Sequence, residues 1–360
     1  MSNLSNKLRR YLKWTKNYFY NNLLYTYHRF KHGRKINTNK VLWIDFRTNF
    51  IRRNIALIVF WFAKAGYTVY YRKTFRSLGS MEFYDRLSFT LPEFRLKRKQ
   101  PRHVDLVLTN RKKETYLKNE VLVDNNYWQP EKPDTWHVPE GMHPHIYYFN
   151  RIPPELKELK TKKNRRISIF LTGNLDGDFY DWPVIKEKFK MLSRNKVIEI
   201  LQKEIAPGRV VIPQNKVDLY ETEHRGRLVL NDRQKIMIDQ ENYLSFLTDC
   251  SFYLFTPGVS FPLCHNNYES MAAGCIPITQ YAHSHFPNLE HNKNCLVFKG
   301  ENDLVKQVNR ALTMDEEEIE QMRNNVIKYY DQYLSEEAIV KNIEQKVLEE
   351  NIRKLIILEG

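Results

Sequence analysis

The residues best suited to chemistry crowd into one stretch, Asp249 to Phe298. Phe252-Tyr-Leu-Phe255 has the composition of a buried strand and runs into a Pro257-Gly258 turn. A polar loop of Cys264, His265, Asn266 and Asn267 follows and leads into a short helix that carries Glu269. Ala272, Ala273 and Gly274 are small enough to let that helix lie close to a sheet, and Cys275-Ile-Pro-Ile278 opens the next strand. A helix-borne carboxylate accepts two vicinal hydroxyls, and the free N–H groups of a helix start favour phosphate oxygens. Taken alone, Glu269 also reads as an exposed helix carboxylate with no partner. His265, His283 and His285 lie near the same loop, where an imidazole can serve as a general base or simply as a structural side chain. His265 is the first candidate because it adjoins the loop's asparagines.

The elements that must position these residues alternate along the chain. Val41-Leu-Trp-Ile44 reads as a strand, Asp45 to Asn49 as a turn, and Phe50 to Ala65 as a helix apolar on most faces. Gly66 stops that helix, and Tyr67-Thr-Val-Tyr-Tyr71 is a strand of β-branched and aromatic residues. Strand, helix and strand with short joints predict a parallel crossover. Val104–Leu108 and Val121–Val123 are further short apolar runs. Pro153-Pro154 and the basic run to Arg166 read as a linker.

A second alternating set begins with the strand Ile167–Leu171 and continues with a helical stretch over Trp182–Leu201. Leu228–Leu230, Phe252–Phe255 and Ile276–Thr279 are its later strands, with helices over Gln240–Thr248, Tyr268–Ala273 and Asp303–Leu312. The charged, periodic tail from Asp315 to Leu358 is expected to be helical. The expected class is therefore α/β. Two doubly wound Rossmann-like domains face a cleft, with an N-terminal amphipathic helix and C-terminal helices. The expected divisions are a basic segment 1–39, an acceptor-side domain 40–150, a linker 151–166, a nucleotide-sugar-binding domain 167–330 and a helical tail 331–360.

The Asp249–Phe298 stretch resembles the donor-binding half of GT-B glycosyltransferases, of the exostosin-like and glycosyltransferase family 1-like kind. There a strand, a polar loop and a helix ending in A-A-G-C-I-P occur in this order. The resemblance implies that Glu269 binds the ribose hydroxyls of a nucleotide sugar, and that Asn266, Asn267 and Tyr268 line the donor site. It further implies that the strand-end loop Thr172-Gly173-Asn174 touches the donor phosphates, although an ordinary turn reads equally well. Arg225 and Arg227 would offset the charge on the departing diphosphate, or form a solvated turn. Arg47, Asn49 and Arg52, after the first strand, would face the acceptor, with Thr48 or Asn49 also able to cap the next helix. Many retaining members carry an acid eight positions before the helix glutamate. Phe261 stands there, which leaves the stereochemistry open. Asp176-Gly-Asp178 mimics the metal-anchoring pair of the other major glycosyltransferase fold, but it follows the wrong strand. No metal and no cofactor are expected beyond the nucleotide sugar as co-substrate.

Composition narrows the class. The 360 residues carry 57 Lys and Arg against 42 acids, with 42% apolar content, which describes a foldable chain. The longest apolar run, Ile55 to Ala63, falls short of the about 20 residues a spanning helix needs. No secretory signal is expected, and Cys250, Cys264, Cys275 and Cys295, without a C-x-x-C pair, point to reduced thiols rather than zinc or disulfides. Met1 to Ile44 holds ten cations and no acid, which leaves 47 against 42 for the rest. Leu4, Leu8, Tyr11, Leu12, Thr15, Tyr18, Phe19, Leu23 and Tyr27 recur there at helical spacing, with Trp14 among Lys7, Arg9, Arg10, Lys13 and Lys16. Such a helix suits an anionic membrane surface, or packs on the domain and shows its charges to water. The expected partners are a nucleotide-sugar donor, a glycan or lipid-linked glycan acceptor of cell-envelope type and that membrane surface, at its cytoplasmic face. Nucleic acid is not expected, because the body is nearly balanced in charge. A basic nucleic-acid binder and a catalytically silent glycan-binding module are the competing classes.

Overall fold

A computed structural model describes residues 2–33, 38–47, 53–125, 133–175, 177–259 and 261–357. The chain forms two units, Met1–Pro139 with Glu336–Glu359, and Glu140–Ser335.

Unit 1 begins with α1 (Ser2–His32), followed by β1 (Lys40–Asp45), α2 (Arg53–Lys64) and β2 (Tyr67–Arg72). The short helices α3 (Phe75–Gly79) and α4 (Phe83–Leu87) precede β3 (Phe94–Lys97), β4 (Leu106–Thr109), β5 (Glu120–Asp124) and β6 (Thr135–Val138). Every residue of α2 from Ile55 to Phe62 is buried, and so are Leu42, Trp43 and Ile44 in β1. Strands covered on both faces by helices read as continuous apolar runs, and β1 and β2 pair in parallel as the alternation predicts. Gly66 takes a left-handed φ of 82°, which lets the chain turn from α2 into β2.

The packed face of α1 coincides only in part with the apolar row read in the sequence: Tyr11 and Tyr18 meet Phe75, but most of the row is exposed. Asn21 is buried, and its Nδ2 donates to Leu78 O (2.7 Å) and Met81 O (3.3 Å). Its Oδ1 accepts from Arg86 Nε at 2.7 Å. Asn17 donates to Gly79 O, and Tyr18 lays its ring on Phe75. A Cβ on Gly79 would stand 2.7 Å from Trp14 O, so glycine there permits the close approach. Tyr25 OH accepts from Leu96 N on the edge strand β3, occupying a group that would otherwise invite a further strand. Buried carbonyls thus select an asparagine face, and Leu8, Leu12, Phe19, Leu23 and Phe30 remain exposed.

Unit 2 opens with α5 (Pro144–Tyr148), α6 (Leu156–Leu159), β7 (Ile167–Gly173), α7 (Pro183–Glu187) and α8 (Arg194–Glu204). It continues through β8 (Val210–Val211), α9 (Lys216–Tyr220), β9 (His224–Asp232), α10 (Tyr243–Leu247), β10 (Cys250–Leu254) and α11 (His265–Ala272). Its last elements are β11 (Ile276–Thr279), β12 (Leu296–Val297), α12 (Gly300–Thr313) and α13 (Glu316–Tyr329). The sheet order is β12-β11-β10-β7-β9-β8, all parallel. The chain then returns to unit 1 as α14 (Glu336–Glu344) and β13 (Lys354–Ile357), which completes the parallel order β3-β2-β1-β4-β5-β13-β6.

Three expectations need correction. The tail is not wholly helical: Leu355, Ile356 and Ile357 are buried in a strand inserted between β5 and β6. The segment 151–166 is not a free linker but part of unit 2, which starts at Glu140. Its cations look solvated in sequence, yet Lys160, Lys162 and Lys163 pair with Asp331, Asp249 and Glu320. Arg165 is buried and donates to the carbonyls of Lys160, Cys250 and Ala273. The stretch Trp182–Leu201 divides at Lys188–Ser193 into two helices.

Candidate functional site

In a doubly wound sheet, ligands bind beyond the carboxyl ends of the strands where the strand order reverses. In unit 2 that point lies between β7 and β10, because β9 and β8 extend the sheet on one side of β7 and β10 to β12 on the other. Gly173 ends β7 there. A Cβ on Gly173 would lie 2.7 Å from Nη1 of Arg194, so the missing side chain makes room for a guanidinium. Arg194 opens α8 behind the N-cap Ser193, whose Oγ accepts from Lys196 N and donates to Asp181 Oδ1. Asn195 also donates to Asp181, fastening the preceding loop to α8. The guanidinium stacks on the Tyr180 ring at 3.9 Å and is largely buried. Burial pushes the Cys264 thiol up to about 11, while the Arg194 charge pulls it the other way.

Around this arginine the strand ends are tied together. Thr172 Oγ1 accepts from Asn231 Nδ2 at 2.9 Å, and Thr172 O accepts from Tyr253 OH. Asn266 Nδ2 in turn donates to Tyr253 OH at 3.4 Å. Asn174 follows Gly173 at the same edge, half-buried. Thr172, Gly173, Asn174 and Asn266 are therefore brought together, joined by Arg194. Sequence reasoning missed Arg194; the available signal was Ser193-Arg-Asn, a cap followed by a cation at the start of α8, beyond the short helix α7.

The polar loop expected at Cys264–Asn267 is the cap and first turn of α11. Helical spacing then splits its residues among faces. Asn267 turns inward, accepting from Cys264 Sγ and donating to Tyr281 OH. Tyr268 is buried, its ring beside His285, and burial raises its hydroxyl pKa well above the ordinary value. These two support the helix and do not line the strand-end site. Glu269 is no exposed carboxylate: it is buried, and its Oε1 accepts from His143 N at 3.1 Å. One turn earlier, the His265 ring lies 5.1 Å from that of His143, which lies 4.7 Å from His145. His143 and His145 escaped the sequence reading because they stand more than a hundred residues upstream. His145 is held below the ordinary imidazole pKa by burial first and by Arg151 second. His285 is fully enclosed, and burial depresses it to about 3, so it stays neutral. His283 is exposed.

Gly274 closes α11 at a φ of 74°, and a Cβ there would stand 2.5 Å from Lys160 O. Gly274 thus makes room for the backbone at the end of α6, whereas the sequence suggests a close approach to the sheet. Phe261, at the position of the missing acid, is buried against Phe189.

Arg225 and Arg227 are not in a turn and do not join the site. Both lie inside β9 near its amino end, where His224 pairs with Ile167, whereas Gly173 pairs with Asp232. At ~3.3 Å per residue, Arg227 stands roughly 17 Å along the strand from Asp232. Arg225 pairs with Glu223 and donates to Asn164 O. In unit 1, Arg47 follows β1 at its carboxyl end, and its amide donates to Asn110 Oδ1. Asn49 and Arg52, like Thr48 and Asp176, lie outside the described residues. Among the described residues no group of three or more His, Cys, Asp or Glu side chains is placed to hold a metal ion.

Both units are thus parallel α/β sheets of Rossmann type. Comparison with solved structures finds similar folds among glycosyltransferases. Anabaena Alr3699/HepE in complex with UDP and glucose has a TM-score of 0.42 at 9% identity, with 86% of this chain and 99% of that chain covered. A glycosyltransferase from Rickettsia africae ESF-5 has a TM-score of 0.39 at 10% identity, covering 87% of this chain and 100% of that one. A trehalose-6-phosphate structure from E. coli, bound with UDP-2-fluoro glucose, has a TM-score of 0.38 at 12% identity, covering 87% and 74%. No protein-family model and no curated protein matches the sequence.

Proposed function

We propose that the chain is a glycosyltransferase of GT-B type that binds a nucleotide-sugar donor at the carboxyl edge of the unit 2 sheet. One observation carries this reading: a buried arginine lies against a side-chain-free strand end, beside the start of α11. A fixed, desolvated cation and helix-start N–H groups suit the diphosphate, and they stabilise the charge that builds on it as the glycosidic bond to the nucleotide breaks. In this scheme the donor's nucleoside lies toward Glu269, whose carboxylate takes the ribose diol in competition with the His143 amide. His265, backed by His143, takes the proton from the acceptor hydroxyl that attacks the anomeric carbon. Arg194 supplies the positive charge, so the reaction needs no metal.

The acceptor we propose is a cell-envelope glycan reached from a membrane surface. Among the described residues no helix is long and apolar enough to cross a membrane. The support for surface attachment is α1. Leu8, Phe19 and Phe30 are spaced by eleven, as are Leu12 and Leu23, so at ~100° per residue the exposed stripe runs nearly straight along the helix. It lies opposite the anchored Asn21, has Arg9 and Lys16 beside it, and carries no acid. An anionic bilayer complements both apolar stripe and cations.

Thermal-shift screening against UDP-, GDP-, CMP- and dTDP-sugars, followed by a donor-hydrolysis assay, tests the reading. Stabilisation by one nucleotide class that disappears in Arg194→Ala is expected. A protein stabilised by none of them, or equally stabilised without Arg194, is not the enzyme described here.

A further inference from the structure

The strand order of unit 1 also reverses, between β1 and β4, and the residues just beyond that point carry an unusual charge arrangement. Asp45, the last residue of β1, accepts from Nη1 of Arg72 at the end of β2 through both oxygens, at 3.0 and 2.8 Å. Arg111, just past β4, brings its Nε within 3.1 Å of Asp45 Oδ1. Arg47, also beyond β1, is exposed. The edge is locked in place by its backbone: Thr109 Oγ1 donates to Asp45 O, Arg111 N donates to Thr109 Oγ1, and Arg47 N donates to Asn110 Oδ1. Two guanidinium groups from two chain segments thus hold one carboxylate, a local surplus of one positive charge, and Arg47 adds a further cation just beyond β1. Asp124, at the same edge of β5, is taken by Lys354, and Glu120 by Lys113. The side chains of Arg72 and Arg111 keep 31% and 28% of their exposure against 16% for Asp45, so the arginines remain within reach of a ligand while the carboxylate is covered.

We propose that this edge is an anion site that recognises a phosphate group on the acceptor. A phosphate monoester carries about −1.5 to −2 at neutral pH, and its oxygens suit the forked donors of arginine. Asp45 preorganises Arg72 and Arg111 and leaves their outward N–H groups for the ligand. The word acceptor rests on the transferase reading above; the anion site itself does not.

The test is titration calorimetry of the full-length protein with glucose 6-phosphate and inorganic phosphate, with glucuronate as the carboxylate counterpart. It is run in an Arg194→Ala background so that unit 2 does not contribute. Arg72→Gln and Arg111→Gln are each expected to weaken phosphate binding about tenfold, the size of one charge-assisted hydrogen bond. Asp45→Asn is expected to strengthen it about tenfold by removing a like charge from the ligand's side. A merely structural clamp would not show that gain, and this variant decides the matter if an arginine variant fails to fold. No phosphate binding, unchanged affinity in Asp45→Asn, or glucuronate bound as tightly as glucose 6-phosphate would each overturn the proposal. Phosphate binding here in a protein that turns over no nucleotide sugar would uphold this site and remove the transferase reading instead.

Discussion

Gly173 and Gly274 both exclude a side chain, and the same substitution at the two should give opposite phenotypes. At Gly173 an added Cβ meets Nη1 of Arg194 at 2.7 Å, the far end of a flexible side chain, and no left-handed φ is required. Gly173→Ala therefore costs little in folding, and the loss of glycine's unfolded-state freedom offsets part of that by ~0.4–1 kcal/mol. The guanidinium, however, must withdraw from the strand end. If it holds the donor diphosphate, one charge-assisted contact worth ~1.5–3 kcal/mol is lost, or about 10- to 150-fold in affinity. At Gly274 the Cβ meets the backbone carbonyl of Lys160 at 2.5 Å and the φ is 74°. Backbone cannot step aside as a side-chain tip can, and the left-handed conformation alone costs an alanine ~1–2 kcal/mol. Gly274→Ala should thus lower the midpoint of urea unfolding, with donor affinity per folded molecule unchanged. Calorimetric titration of the nucleotide sugar that stabilises the wild type, alongside urea melts, reads both quantities. A Gly173→Ala protein that binds the donor as well as the wild type, or melts as early as Gly274→Ala, would refute the placement of Arg194 in the site.

Other expectations follow from the same contacts. Arg225→Ala should leave donor affinity untouched and change stability by less than ~0.5 kcal/mol, since its ion pair is exposed; weakened binding would restore it to the site. Asn21→Ala leaves the Leu78 and Met81 carbonyls without their donor, and a loss of ~1–3 kcal/mol in chemical denaturation is expected. His285 is depressed from 6.5 to about 3 in the folded protein, so below pH 6.5 the unfolded chain binds the extra proton and stability falls with acid, by up to ~1.4 kcal/mol per pH unit. His285→Phe should flatten the difference between melts at pH 6 and pH 4; a parallel pair of curves would contradict the burial argument. Phe19→Asp with Leu23→Asp should release the protein from anionic vesicles without altering its melt, and undiminished vesicle binding would exclude the α1 stripe as the attachment face.

Local pattern alone determined a good deal. The alternation of buried runs with helices specified parallel α/β units, because strands covered on both faces carry continuous apolar sequence. Gly66 and Gly274 marked helix ends, since their left-handed turns exclude side chains. The order of strand, helix, Gly274 and strand around Glu269 was legible for the same reason. What tertiary structure decided was every question of partnership. Which cation meets Gly173 depended on α8 returning to the end of β7, and nothing in the spacing of Arg225 and Arg227 revealed that they start from the far end of β9. The basic run to Arg166 looked like solvated linker because its acids lie 87 to 171 residues away. Lys354–Ile357 looked like the end of a helical tail until β5 and β6 offered it their edges. Helix and strand propensities act over a few residues, whereas ion pairs, strand insertion and the choice of a buried helix face are settled by groups that only folding brings together.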